Sequence, residues 1–253
     1  MFRNGGKMEL YREIEHIITP DEADFTGKWR PGDIFRAMQR AAEIHANELG
    51  WGYAVLIEKN VAWVLTRTQV QMNTYPRLWD TITIATWTGK IKHSVFPRYF
   101  EFRAADGRVL GKAITLWVLL DLSERCMVPA DKAGIEVPAD EGHEPALLFP
   151  AAPRELKGIE PKLMDKQPVY TDFDINGHVN NTRYIDWLCD LFPTEYYTER
   201  FMSELTVNYA GEILPGTELK LMLAEDGECF SLRDCPGGKA HFTIQGRWQE
   251  QEK

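Results

Sequence analysis

The sequence has no apolar run near the ~20 residues that a bilayer-spanning helix needs. It also lacks a cysteine scaffold: four cysteines stand at positions 126, 189, 229 and 235, without CxxC spacing and below the density of a disulfide-built domain. Free thiols in a reducing compartment are the plain expectation, with a Cys229–Cys235 bridge across a hairpin as the alternative. Positive charge is in deficit, 29 Lys and Arg against 38 Asp and Glu, for a formal net charge of −9. That excludes general nucleic-acid binding, which relies on phosphate neutralisation, and a broad surface for anionic membranes. The opening residues, Met1-Phe-Arg-Asn-Gly-Gly-Lys-Met8, hold no apolar stretch that could serve as a signal peptide. A cytoplasmic location without stable membrane insertion is therefore expected. What is present is 253 residues, 44% hydrophobic and 26% charged, ample for one large core or two small ones.

The chain states one order of elements twice. Pro31-Gly-Asp33 opens a helix, with Asp33 as the expected N-cap. Phe35, Met38, Ala42, Ala46 and Leu49 follow at helical spacing, and Gly50 ends the run. Four strand-like runs come next: Val61–Met72, Thr81–Trp87, Arg98–Arg103 and Val109–Asp121, with Ala105-Asp-Gly107 as a hairpin signal. The second half puts Val179, Tyr184, Ile185, Leu188 and Leu191 on one helical face ahead of Pro193. Strand-like runs follow at Glu204–Ala210, Glu218–Ala224, Glu228–Leu232 and Lys239–Trp248, separated by Pro/Gly turns. This pattern predicts an α+β layout in which an antiparallel sheet curls around a helix in each half. A doubly wound parallel sheet would need strands alternating with helices, which the sequence does not supply. The expected boundaries are residues 1–125 for the first unit, 126–166 for a Pro-rich linker and 167–253 for the second unit.

Between the linker and the second helix lies Asp172-Phe-Asp-Ile-Asn-Gly-His-Val-Asn-Asn-Thr-Arg-Tyr184. Its start resembles a calcium-binding EF-hand loop. The twelfth position, where that loop needs a bidentate Glu, holds Arg183, and Gln167-Pro-Val-Tyr170 upstream reads as extended rather than helical. No metal is expected. Asp174, Asn176 and His178 recur at every second residue, which in an extended segment directs them to one side. The expected helix start near Val179 would stand beside them. A histidine can move a proton near neutral pH, a carboxylate can orient it or activate water, and an amide can polarise a carbonyl. Together they suit ester or thioester cleavage without metal or cofactor. Residues of these types also form plain turns and N-caps, and that reading competes for each of them singly.

The segment resembles the signature of the acyl-acyl carrier protein thioesterases, roughly D-x-D-x-N-x-H-V-N-N-x-x-Y-x-x-W. This chain supplies Asp172, Asp174, Asn176, His178, Val179, Asn180, Asn181, Tyr184 and Trp187. The core G-H-V-N-N alone is also found in simple acyl-CoA thioesterases of the hotdog fold. Duplication and chain length favour the carrier-protein enzymes. The resemblance implies a double hotdog, each unit a long helix wrapped by a curved antiparallel sheet, covering nearly the whole chain. It implies catalytic roles for Asp174, Asn176 and His178. A family glutamate after a strand of form L-T-x-x-Y falls on Glu212, in Leu205-Thr-Val-Asn-Tyr-Ala-Gly-Glu212. Plant members carry a cysteine next, where this chain has Ile213, so a cysteine nucleophile is not available there. Attack by water, handled by Glu212 and His178, is favoured over attack by Asp174 to give an anhydride.

The resemblance further implies an acyl-chain pocket in the first unit, which has no Asn or His in Thr26-Gly-Lys-Trp-Arg-Pro-Gly-Asp33. Candidate lining residues are Trp63, Leu65, Ile82, Ile84 and Trp87, with ordinary core packing as the competing reading. Lys90, Lys92 and Arg98 form a short basic cluster suited to steering an acidic carrier protein and its phosphopantetheine arm, or else a solvated hairpin turn. The expected activity is release of free fatty acid from acyl-acyl carrier protein. An acyl-CoA thioesterase, a non-catalytic acyl-binding protein and a hotdog dehydratase are the rivals. Acyl-chain preference and the choice between monomer and homodimer stay open.

Overall fold

The computed structural model describes residues 9–135, 137–234 and 238–251. Among these residues ten strands form one antiparallel sheet: β1 Tyr11–Ile17, β2 Val61–Met72, β3 Thr81–Thr88, β4 Phe96–Ala104, β5 Val109–Asp121, β6 Lys162–Lys166, β7 Arg200–Tyr209, β8 Leu219–Asp226, β9 Cys229–Asp234 and β10 Phe242–Glu250. Their order across the sheet is β1-β3-β4-β5-β2-β7-β10-β9-β8-β6. Each half thus arranges its strands in the same way, and the halves meet where β2 pairs with β7. Among the described residues four α-helices accompany them: α1 Pro31–Glu48, α2 Tyr53–Glu58, α3 Arg183–Asp190 and α4 Thr194–Glu199. This is the α+β layout that the element order predicts, in the double-hotdog form that the resemblance implies.

Pseudo-symmetry reaches the irregularities. The β2–β5 ladder shifts register between Leu65 and Arg67, and the β7–β10 ladder shifts at the corresponding place, between Arg247 and Trp248. In each case the residue skipped, Thr66 or Ser203, donates its hydroxyl to the partner strand's carbonyl, Leu116 or Arg247. A bulge of this kind sharpens the twist and lets the sheet wrap its helix.

Several boundaries differ from the sequence expectation. Strands β1 and β6 lie outside the predicted runs, and β6 falls inside the stretch expected as linker. Both are short edge strands, and β6 is largely exposed, so neither shows a strong apolar alternation; pairing with β3 and β8 defines them. Asp33 is not the cap of α1. Arg30 holds that position with Pro31 at the first helical turn, where a missing N–H costs nothing. Asp33 instead pairs with Arg30 and Arg36. Gly50 does end α1, with φ of +79°, a left-handed conformation that glycine adopts without a Cβ clash. The second helix is short. It begins at Arg183 rather than near Val179, and its 8 residues contrast with 18 in α1.

The two helices pack side by side under the sheet. Arg36 of α1 pairs with Asp186 of α3 at 2.8 Å, and each is also bound within its own helix, Arg36 to Asp33 and Asp186 to Arg183. One buried cluster joins Ile34, Phe35 and Met38 of α1 to Tyr184, Ile185 and Leu188 of α3. Each such side chain contributes about 1.5–3 kcal/mol when fully buried, so the halves share a core.

Candidate functional site

The motif folds into a tight loop rather than an extended segment. Phe173 bridges Val179, the Asp174 N–H donates to the His178 carbonyl, and the Gly177 N–H donates to the Asp174 carbonyl at 3.0 Å. Gly177 has φ of +78°, which the turn requires. The reason lies in Asp174. Its Oδ1 accepts the Asn176 N–H at 2.9 Å, an Asx turn that outcompetes extension. Its Oδ2 accepts from the Asn180 side-chain amide at 3.2 Å. His178 Nδ1 stands 3.9 Å from Asp174 Oδ1. The loop still brings Asp174, Asn176 and His178 into one neighbourhood, by a turn instead of by period-two alternation.

Neighbouring residues fix the loop. Asp172 is buried and accepts from the Val169 N–H and, at 3.4 Å, from Trp187 Nε1. Arg183 donates to Asp186 and to the Thr171 carbonyl. The Val179 N–H donates to the Ile213 carbonyl at 2.9 Å, which ties the loop to the segment carrying Glu212. Ile213 itself is fully buried. Glu212 is exposed and pairs with Arg125 at 3.2 Å, an arginine on the turn after β5 of the first half.

A cavity of about 560 Å³ lies beside this loop, within the 300–1,000 Å³ range of small-molecule sites. Its walls come from both halves. The first half supplies Ala42 and Ala46 of α1, Leu56 and Ile57 of α2, Trp63 of β2, and Phe96 and Trp117 of β4 and β5. The second half supplies Asp174, Ile175, Asn176 and Asn180. The sheet leaves room here, because β7 pairs with β2 only from Arg67 to Gln71. The β2 stretch Val61–Leu65 has no β7 partner.

Of the pocket candidates, Trp63 lines the cavity. Ile82 and Ile84 pack in the main core, and Leu65 is not among the lining residues. Trp87 faces the other side of the sheet, against Tyr11, Tyr99 and His143, because alternate residues of a strand point to opposite faces. The basic cluster is split. Lys90 and Lys92 are exposed on the β3–β4 turn, Lys90 3.8 Å from Glu141 and Lys92 over the Phe149 ring. Arg98 is buried on the cavity side. Its Nη1 donates to His45 Nδ1 at 2.9 Å and to Thr86 Oγ1 at 3.2 Å. Burial pushes the Arg98 guanidinium down to about 10. The His45 imidazole is pushed down too, by burial first and by the Arg98 charge as well.

Sequence reasoning named no role for Asn180, which both lines the cavity and holds Asp174, although the doubled Asn-Asn in the motif was its signal. Arg125 and the short helix α2 had no signal beyond ordinary loop composition. Cys126, Cys189 and Cys229 are free, and Cys235, the other half of the considered bridge, lies outside the described residues. No helix among the described residues is long and apolar enough to cross a membrane.

Comparison with known proteins gives this architecture a family. Residues 10–133 match the acyl-ACP thioesterase N-terminal domain and residues 159–250 match the acyl-ACP thioesterase C-terminal domain. The second match takes in β6. A dodecanoyl-[acyl-carrier-protein] hydrolase of Cinnamomum camphora is 26% identical over 242 residues, covering 85% of this chain and 62% of that protein. A palmitoyl-acyl carrier protein thioesterase of Arabidopsis thaliana is 27% identical over 208 residues, covering 77% of this chain and 50% of that protein. The chain therefore spans about half to three-fifths of the length of these curated relatives. The crystal structure of an acyl-ACP thioesterase from Bacteroides thetaiotaomicron has the same fold, with a TM-score of 0.81, 24% identity and coverage of 94% of this chain and 98% of that one. The chain belongs to the acyl-ACP thioesterase family.

Proposed function

We propose that this chain hydrolyses the thioester of fatty acyl-acyl carrier protein, releasing free fatty acid and carrier and so ending chain synthesis. The observation that carries this reading is the cavity with two kinds of wall: apolar side chains from the first half, and Asp174, Asn176 and Asn180 from the second. An acyl chain lying among Trp63, Phe96 and Trp117 would present its thioester to the motif loop. The first half is thus the acyl-binding unit. The second half, with β6 included, is the catalytic one.

Asp174 acts as the organiser in this reading. Both its carboxylate oxygens already accept hydrogen bonds, which weakens it as a nucleophile and favours attack by water. The water oxygen bonds to the acyl carbon while its proton passes to His178 or Glu212. Asn176 polarises or positions the carbonyl. The carbon–sulfur bond then breaks, and the pantetheine thiolate leaves and takes a proton. Glu212 must exchange its Arg125 contact for the reacting water, a side-chain motion of an exposed residue. The reaction uses no cofactor.

The partner is acyl carrier protein, met at the cavity mouth, and the compartment is the cytoplasm. The test compares kcat/KM for matched acyl chains on carrier protein and on CoA. The expected result is at least a tenfold preference for the carrier. A clear CoA preference would reassign the substrate, and failure to cleave either thioester would leave only an acyl-binding protein.

A further inference from the structure

The cavity is apolar along most of its wall and changes character at one end. Its lining crosses the first-half sheet from Trp63 on β2, through Trp117 on β5 and Phe96 on β4, to Arg98 on β4 and Thr88 on β3. Strands lie about 4.8 Å apart, so Arg98 and Thr88 sit two and three strands, roughly 10–14 Å, from β2. The motif loop comes from the second half, on the β2 side of the sheet. Arg98 therefore forms the outer, distal part of the wall.

Its chemistry is unusual for that position. The residue is 7% exposed, and no carboxylate among the described residues pairs with it. Nη1 spends both protons on His45 and Thr86. Nη2 and Nε donate to no protein atom among the described residues. The neighbouring Thr88 hydroxyl is already committed to the Pro138 carbonyl. Burying an unpaired charge is costly. The corresponding place in the second half, reached through the matching ladder partners Thr115 and Gly246, holds Phe230, fully buried and apolar. The half with the cavity thus carries a cation where its repeat carries a phenyl ring.

Resting on the hydrolase reading above, we propose that Arg98 is the specificity-determining end stop of the acyl cavity: it rejects a methyl terminus that reaches it and accepts an oxygen there. A chain short of Arg98 leaves water on its free donors. One methylene too many replaces that water with hydrocarbon and strands the donors. A terminal hydroxyl at that depth supplies the missing acceptor.

The experiment measures binding of a ladder of non-hydrolysable straight-chain acyl-pantetheine thioethers to the full chain, each beside its ω-hydroxy counterpart; a free acid is avoided because its carboxylate would itself supply Arg98 with an acceptor. Affinity should climb about fourfold per methylene and then break, with a loss of about tenfold at one length. At that length alone the ω-hydroxy thioether should bind about tenfold more tightly than the plain one. In Arg98→Met the climb should continue past the break and the hydroxyl advantage should vanish. An ω-hydroxy thioether that is no better at any length overturns the proposal, and so does a break that survives Arg98→Met. The wild-type pairs decide the matter even where the variant fails to fold. Because the thioethers are not hydrolysed, an absence of thioesterase activity would refute the function and leave this result standing.

Discussion

The two motif loops are the same loop with different side chains. In the first half, Ala23 bridges Trp29, the Asp24 N–H donates to the Lys28 carbonyl, and the Gly27 N–H donates to the Asp24 carbonyl at 2.9 Å. Asp24 Oδ1 accepts the Thr26 N–H, as Asp174 Oδ1 accepts that of Asn176. Both glycines have φ of +78°. Even the anchors correspond: the Trp29 N–H donates to the Pro76 carbonyl where the Val179 N–H donates to that of Ile213. On this common frame Thr26 replaces Asn176, Lys28 replaces His178 and Tyr75 replaces Glu212. Lys28 is buried, with Nζ 2.5 Å from the Tyr197 carbonyl, and Tyr75 donates to the Met202 carbonyl. One loop lines the cavity; the other is a joint to the opposite half.

The pockets divide in the opposite sense. Position 42 in α1 is alanine and lines the cavity, while its counterpart beyond α3 is Phe192. That ring packs 5.0 Å from Trp248, which also meets Phe230, Tyr196 and Tyr197. Trp248 in turn is the counterpart of cavity-lining Trp117. The first half has the space without the Asn and His of the motif, and the second has those side chains with its space filled. Because the second-half loop lines the first half's cavity, the two differences leave one candidate site.

The largest effect should come from separating the loops by mutation. His178→Ala is expected to lower kcat on acyl-carrier substrate by about 10²–10⁴-fold. Lys28→Ala should leave kcat within about twofold yet cost about 1–3 kcal/mol of stability by stranding its carbonyl partners. Steady-state rates and denaturant melts on the two variants check both halves of that contrast.

A smaller effect is expected from copying the second half's ring into the first. Ala42→Phe should fill the cavity and lower kcat/KM for long acyl chains by about 10–200-fold. Short-chain thioesters should suffer least. A chain-length series would read this directly, and a uniform loss across lengths would argue against the cavity as the acyl site.

The smallest concerns the His45–Arg98 pair, whose arginine the filled half replaces with Phe230. His45 must be neutral to accept from Arg98, and its folded-state value lies below the ordinary 6.5. The native state then binds fewer protons than the unfolded one between those two values. Stability is full above about pH 6.5 and is lost as pH falls below it, by at most about 1.4 kcal/mol per pH unit. In His45→Gln, which keeps an acceptor, that component of the acid slope should disappear from pH-dependent melts.

Much of this was legible beforehand, for reasons that can be named. The long strands β2 and β5 alternate and carry strong β formers, so their limits could be read directly from Val61–Met72 and Val109–Asp121. Edge strands β1 and β6 could not, because their definition comes from a partner strand distant in sequence. The motif's residues were readable, but its geometry was not: Asp174 bends the chain by bonding the Asn176 backbone, a local competitor that alternation does not reveal. Lys90, Lys92 and Arg98 looked like one basic cluster, and only the pleat and the hairpin turn send Arg98 inward. The loss of symmetry was half visible in Thr26-Gly-Lys28, whereas the pairing of Ala42 with Phe192 required the fold.

The central claim, that two halves make one acyl site, is tested most directly by titration with a non-hydrolysable acyl-pantetheine thioether. The account predicts one equivalent bound per chain, with saturation lost in Ala42→Phe. Two equivalents per chain, or one that persists unchanged in Ala42→Phe, would contradict it.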